Sequence, residues 1–135
     1  MALQWKFTGN QPVYMQIMDQ IRNAVLMGEY PPGSRIPPVR EFAALAQVNP
    51  NTMQRAMVEL EREGLLVSCG TTGRFVTSDP QVVECLRQQV VAATVRACAA
   101  QFRALGVSMT QAAQLLMETE KEENHGSCIM RDGTD

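Results

Sequence analysis

The apolar positions along this chain change period several times, and each change marks an element. In PVYMQIMDQIRNAVLMG, Val13, Ile17, Ile21 and Val25 recur every four residues while Met18 and Ala24 widen the stripe. The segment predicts an amphipathic helix opened by Pro12 and stopped by Gly28. EYPPGSRIPP follows, a proline and glycine connector that cannot be helical. VREFAALAQ then predicts a short helix with Phe42, Leu45 and Ala46 inward. In VNPNTMQRAMVELEREGLL, Asn49 suits an N-cap and Pro50 the first helical position, where its missing N–H costs nothing. Met53, Ala56, Met57 and Leu60 make the buried face, which turns Asn51, Gln54, Arg55 and Val58 outward, and Gly64 ends the helix. Residues 65–69 and 74–77 are β-prone runs joined by GTTG and predict a small hairpin.

Beyond the SDP at 78–80, a helical pattern reaches about residue 105 with two apolar stripes. One contains Leu86, Val90, Ala93, Ala97 and Ala100; the other contains Val91, Val95, Cys98, Phe102 and Leu105. A helix apolar on two sides needs two partners, here the last helix of its own chain and a second copy. That last helix opens at Ser108 and Gln111, which have capping-box spacing, and turns Ala112, Ala113, Leu116 and Met117 inward. The expected domains are therefore 1–78, a helical dimerisation region over 79–123, and a disordered tail over 124–135. Trp5 and Phe7 should pack against the core, because isolated large aromatics seldom stay exposed. Met15, Met18, Met27, Met53 and Met57 read as gap-filling core residues.

Length and composition narrow the function. A chain of 135 residues accommodates one domain with an appendage, not two large ones. The start, MALQWKFTGNQP, lacks the apolar core of a signal peptide and no apolar run is long enough to span a membrane, so a cytoplasmic protein without membrane partners is expected. Four cysteines, at 69, 85, 98 and 128, have neither zinc-site spacing nor disulfide-scaffold density. His125 and Cys128 are too few for a closed metal site, so neither metal nor cofactor is expected. The only histidine lies in the expected tail, and neither an activated nucleophile nor a phosphate-cradling glycine loop is recognisable, which makes an enzyme the poorest reading. The net charge of -2 weighs weakly against a nucleic-acid partner. Residues 1–80 are balanced, however, with seven basic and seven acidic groups, and the acidic excess belongs to 81–135, with five and seven.

Three helices and a hairpin, with the third helix polar at its start, is the order of a winged helix-turn-helix. One helix fits the major groove of duplex DNA, and its N-terminal side chains reach base edges best. Asn and Gln pair with adenine through a donor and an acceptor together, whereas Arg forks onto guanine; Asn51, Gln54 and Arg55 supply these groups on one face. Arg40, near the start of the short helix, suits a phosphate better than a surface pair with Glu41 or Glu59. The acidic ELEREG end would point away from the DNA backbone.

PPGSRIPPVREFAALAQVNPNTMQRAMVELEREGLL closely resembles the DNA-binding domain of GntR-family bacterial transcriptional regulators, and VNPNT with ELEREGL resembles the short YtrA-type subfamily. The likeness covers about residues 10–78. It implies a mainly α fold with a small β-hairpin, a winged helix-turn-helix domain followed by a two-helix C-terminal dimerisation region. It also implies DNA contacts from Arg35, Arg40, Asn49, Asn51, Thr52, Gln54 and Arg55, and from the wing at Thr72, Gly73 and Arg74. Leu86, Val90, Val91, Ala93, Val95, Ala97, Phe102 and Leu116 are the dimerisation candidates. The implied function is a repressor that binds a near-palindromic operator as a homodimer. A small-molecule effector, of unspecified identity, would have to act at the dimer interface or near Pro80. The chain departs from the family pattern in two places: Pro38 replaces a small polar residue, and Thr71, Thr72, Gly73 and Arg74 replace a Gly-x-Gly wing followed by Thr or Ser. The rival reading is a winged-helix module that binds protein, and salt-dependent binding to duplex separates the two.

Overall fold

A computed structural model describes residues 3–133, with side chains as far as Asn124. The order is α1 (Val13–Leu26), α2 (Val39–Ala46), α3 (Pro50–Arg62), β1 (Leu66–Ser68), β2 (Arg74–Val76), α4 (Pro80–Ala104) and α5 (Met109–Gly133). The chain forms two compact units that divide after Gln88, inside α4. The boundary expected at 78–79 instead marks the start of that helix. Its first turns belong with the N-terminal unit, where Leu86 is buried.

In the N-terminal unit α1 and α2 both pack on α3. Ile17 and Ile21 of α1, Phe42 of α2, and Met53, Met57 and Leu60 of α3 are fully buried, as the helical periods require. Phe42 anchors an aromatic cluster, with Trp5 meeting it edge-on at 5.1 Å, Tyr30 meeting it edge-on at 6.1 Å, and Phe7 stacked on Trp5. The N-terminal arm is held by two glutamines of α1. Gln20 accepts from the Lys6 amide at 2.9 Å and donates to its carbonyl at 2.7 Å. Gln16 does the same at Thr8 and also donates to the Gln11 carbonyl.

Four apolar side chains of this unit depart from the expected core, among them Val13 at the open end of the α1 stripe, which is 39% exposed. Leu45 is 61% exposed and Ala43 is buried in its place. At roughly 100° per residue, positions 42, 43 and 46 span an arc of about 100° that faces the core, and 45 falls about 60° outside it. Met15 lies off the α1 stripe and Met27 beyond the helix end, so both are exposed where core methionines were expected.

The hairpin is antiparallel, with Leu66 opposite Val76, Val67 opposite Phe75 and Ser68 opposite Arg74. The proline connector runs beside β2. Arg35 bridges to Phe75, the Ile36 amide donates to the Arg74 carbonyl at 2.9 Å, and the Val76 amide donates to the Ser34 carbonyl at 2.8 Å. Buried Ile36 fixes this edge.

In the C-terminal unit, α4 and α5 meet at a bend of 114° around Gly106, whose φ is +77°. The Gln111 amide donates to Ser108 Oγ at 3.1 Å, the N-terminal cap that the spacing predicts. The last helix does not bury the face expected of it. Ala112 is buried, but Ala113 is exposed, Leu116 is 54% exposed and Met117 63%. Val91, Val95 and Leu105 on α4 are exposed as well. The bend carries the two helices apart, so neither stripe is covered along its length within one chain. α5 also continues to Gly133, through positions expected to be a disordered tail. The side chains of His125 and Cys128 lie outside the described residues. No single helix among the described residues is long and apolar enough to cross a membrane.

Candidate nucleic-acid interface

The head of α3 is built by local chemistry. α2 ends at Gln47, which takes the left-handed conformation at φ +58°, and the Val48 amide closes the turn onto the Ala43 carbonyl at 3.0 Å. The chain then re-enters a helix at once. Asn49 is its N-cap, with Oδ1 accepting from the Asn51 amide at 2.8 Å, and Pro50 follows at the first helical position. This leaves Asn51, Gln54 and Arg55 on one exposed face and Thr52 half-buried beside them. Val58 continues the outward row at its acidic end.

Arg40 lies exposed on the second residue of α2, and Arg35 on the connector beside the wing. The N-cap of α2 is Pro38, which offers no side-chain hydrogen bond, the capping loss expected from that departure. At the wing, the Cys69 amide donates to the Gly73 carbonyl at 2.9 Å and the Thr72 amide to the Cys69 carbonyl at 3.0 Å, while the Thr72 hydroxyl also donates to that carbonyl. Gly73 has φ +121°, and a Cβ there would stand 3.0 Å from Arg35 Nε. Glycine is therefore what lets the Arg35 side chain lie across the wing. Arg35, Pro38, Ser68, Thr71, Gly73 and Arg74 all line a cleft of about 370 Å³.

Ion pairs sort the arginines of this unit into two groups. Arg22 binds Asp19 and Glu63, Arg62 binds Glu59, Arg87 binds Glu84, and Arg74 binds Glu61, which also accepts from the Ser68 hydroxyl. Arg35, Arg40 and Arg55 have no carboxylate partner among the described residues, so the surface pair considered for Arg40 is absent. The carboxylates of the ELEREG segment, Glu59, Glu61 and Glu63, are all engaged by these partners, which keeps their charge off the α3 head.

The expected contact residues Asn51, Gln54 and Arg55 share an exposed face of α3, Arg35 and Arg40 are exposed, and the structure brings Arg35 together with Gly73 at the wing. Sequence reasoning did not foresee that Arg74 is tied to Glu61 with its side chain only 19% exposed. It also missed Tyr14 of α1, whose ring lies 3.8 Å beneath the Arg55 guanidinium. A residue 41 positions away gives no local signal of such a contact. Elsewhere in the unit, burial pushes the Tyr30 hydroxyl above its ordinary pKa, and the neighbouring Glu29 adds to the shift.

A family model described as "Bacterial regulatory proteins, gntR family" matches residues 13–76. The uncharacterized HTH-type transcriptional regulator YhcF of Bacillus subtilis is 33% identical over 103 residues, covering 76% of this chain and 85% of that protein. The HTH-type transcriptional repressor YtrA of the same organism is 38% identical over 68 residues, covering 50% of this chain and 52% of that one. Among solved structures, a GntR family transcriptional regulator from Listeria monocytogenes superposes with a TM-score of 0.75 at 28% identity, covering 83% of this chain and 98% of that chain.

Proposed function

Because the chain belongs to the GntR family, whose members are DNA-binding transcription regulators and not enzymes, we propose that it represses transcription from a near-palindromic operator as a homodimer. The likeness to the repressor YtrA supports the direction of control. The observation that carries the DNA-facing surface is electrostatic. Of the arginines in the N-terminal unit, those without a carboxylate partner among the described residues are Arg35 on the connector beside the wing, Arg40 at the start of α2 and Arg55 on the exposed face of α3. Unneutralised guanidinium groups around an exposed helix start are what a phosphate backbone attracts.

In this reading the head of α3 enters the major groove. Asn51 and Gln54 pair with adenine edges, Arg55 forks onto guanine, and Thr52 and Asn49 support contacts at the groove wall. Arg35 and Arg40 hold phosphates, and the wing at Thr72 and Gly73 lies along the backbone. Arg74 acts mainly by fixing the wing to α3 through Glu61. Dimerisation falls to the C-terminal unit. Val91, Val95 and Leu105 of α4, and Leu115, Leu116 and Met117 of α5, are exposed apolar side chains, the kind of surface that a protein partner covers. A second copy would cover it, with Val90, Ala93, Ala97 and Phe102 adding to the contact. Leu86, buried within the N-terminal unit, serves that unit's own packing.

The test is duplex binding across a salt series. Arg40→Ala should lower affinity for all sequences and reduce the salt slope by about 1, while Arg55→Ala should lose roughly 1 to 3 kcal/mol of discrimination at one base pair. Val95→Asp should yield monomers with weak, nonselective binding. Unchanged binding by both arginine variants would remove the proposed surface, and salt-independent association would favour a protein-binding module.

A further inference from the structure

The guanidinium carbon of Arg55 lies 3.8 Å from the centroid of the Tyr14 ring. The surroundings make this contact informative. Glu59, one turn along α3 from Arg55 and its natural partner on a helix, is bound to Arg62 at 2.9 Å. On α1, Asp19 is bound to Arg22 at 2.8 Å, and Glu63 is bound to Arg22 as well. Each nearby carboxylate is thus occupied by another arginine, and Arg55 is steadied by a ring. The two restraints differ in consequence. A carboxylate would cancel the charge and occupy the fork of N–H donors, whereas a ring face restrains the guanidinium plane and leaves all five donors at its perimeter available.

We infer that Tyr14 is a positioning residue for DNA recognition: it orders the Arg55 guanidinium on the α3 face before DNA arrives, without using the donors that contact a base. This rests on the proposed reading of Arg55 as a base contact. Tyr14 itself touches no base. Its part is to reduce the rotamer freedom that a long arginine side chain otherwise loses on binding.

The experiment is a double-mutant cycle with Tyr14→Leu and Arg55→Ala, read by affinity for the preferred duplex and for one altered at the base pair that Arg55→Ala no longer discriminates. Tyr14→Leu should weaken binding to the preferred duplex about two- to fivefold, the range an exposed cation–π contact supplies, and should leave the altered duplex unaffected. In the Arg55→Ala background the same change should have no effect. Tyr14→Phe, which keeps the ring, should bind like the wild type. Equal weakening in both backgrounds would assign Tyr14 a merely structural role and overturn the inference. Independently of how well Tyr14→Leu folds, wild-type Arg55 side-chain protons should show upfield ring-current shifts that persist with DNA bound, and their absence overturns it too. Two results separate this inference from the reading beneath it. If the wild type shows no sequence-selective binding, the DNA reading fails. If Arg55→Ala alone changes nothing while selective binding persists, the base contact by Arg55 and the positioning role fail together and the DNA reading stands.

Discussion

Replacing Asn49 separates two roles that share one side chain. Its Oδ1 accepts from the Asn51 amide at 2.8 Å and caps α3, which leaves only its amide N–H groups for DNA. Asn49→Ala removes the cap acceptor from an exposed site, so the loss follows the ordinary range for N-caps, about 1 kcal/mol within 0.5 to 2. Over a unit of this size that lowers the thermal midpoint by roughly 4 to 8 °C. Asn49→Ser keeps a capping oxygen and should recover most of the stability. Asn49→Asp keeps the cap and adds a charge that the helix N-terminus favours, so its midpoint should match or exceed the wild type while its DNA affinity falls through repulsion of phosphate. Thermal unfolding by circular dichroism and duplex titration on the same samples read both roles. If Asn49→Ala melts with the wild type while Asn49→Asp is the unstable variant, the cap does not organise the head of α3 and the reasoning is wrong.

Gly73→Ala should cost about 1 to 3 kcal/mol of stability, because its φ of +121° strains any L side chain and the new Cβ meets Arg35 Nε at 3.0 Å; wild-type melting and DNA binding would contradict this. Glu61→Gln releases Arg74, so the wing should loosen by about 1 kcal/mol while nonselective DNA binding strengthens and the salt slope steepens by about 1; an unaltered slope would place Arg74 away from DNA. Tyr30 has a folded-state pKa raised above its unfolded value, so its contribution is complete below about pH 10 and is lost as pH rises through the folded value. Urea unfolding at alkaline pH should therefore show a steeper loss for the wild type than for Tyr30→Phe, and parallel curves would contradict the assignment.

How much the sequence disclosed depended on the range of the forces involved. α3 was legible to its first residue, because Asn49, Pro50 and a four-residue apolar repeat are local signals with local causes. The connector was not. Its prolines announce what it cannot form, while its pairing with β2 depends on Ile36 being buried by residues far along the chain. Leu45 was misplaced because a helix of eight residues shows too little of its stripe to fix the centre of the buried arc. On α4 and α5 the stripes are visible in sequence, but a stripe states only that it needs a partner. Whether that partner is the chain's own helix turns on the backbone at Gly106. The candidate site was legible in its residue types and not in their pairings, since Glu61 with Arg74 and Tyr14 with Arg55 join positions that only folding brings together.

The central claim is that two copies of this chain read duplex DNA through the heads of their α3 helices. Selection of duplexes from a random pool, with the selected complex sized by sedimentation, tests it most directly. The expected result is enrichment of a near-palindrome with half-sites about one helical turn apart, ~34 Å or more, bound by two chains and relaxed at one base pair of each half-site when Arg55 is replaced by Ala. A pool that stays random, or a single half-site bound with full selectivity by one chain, would contradict it.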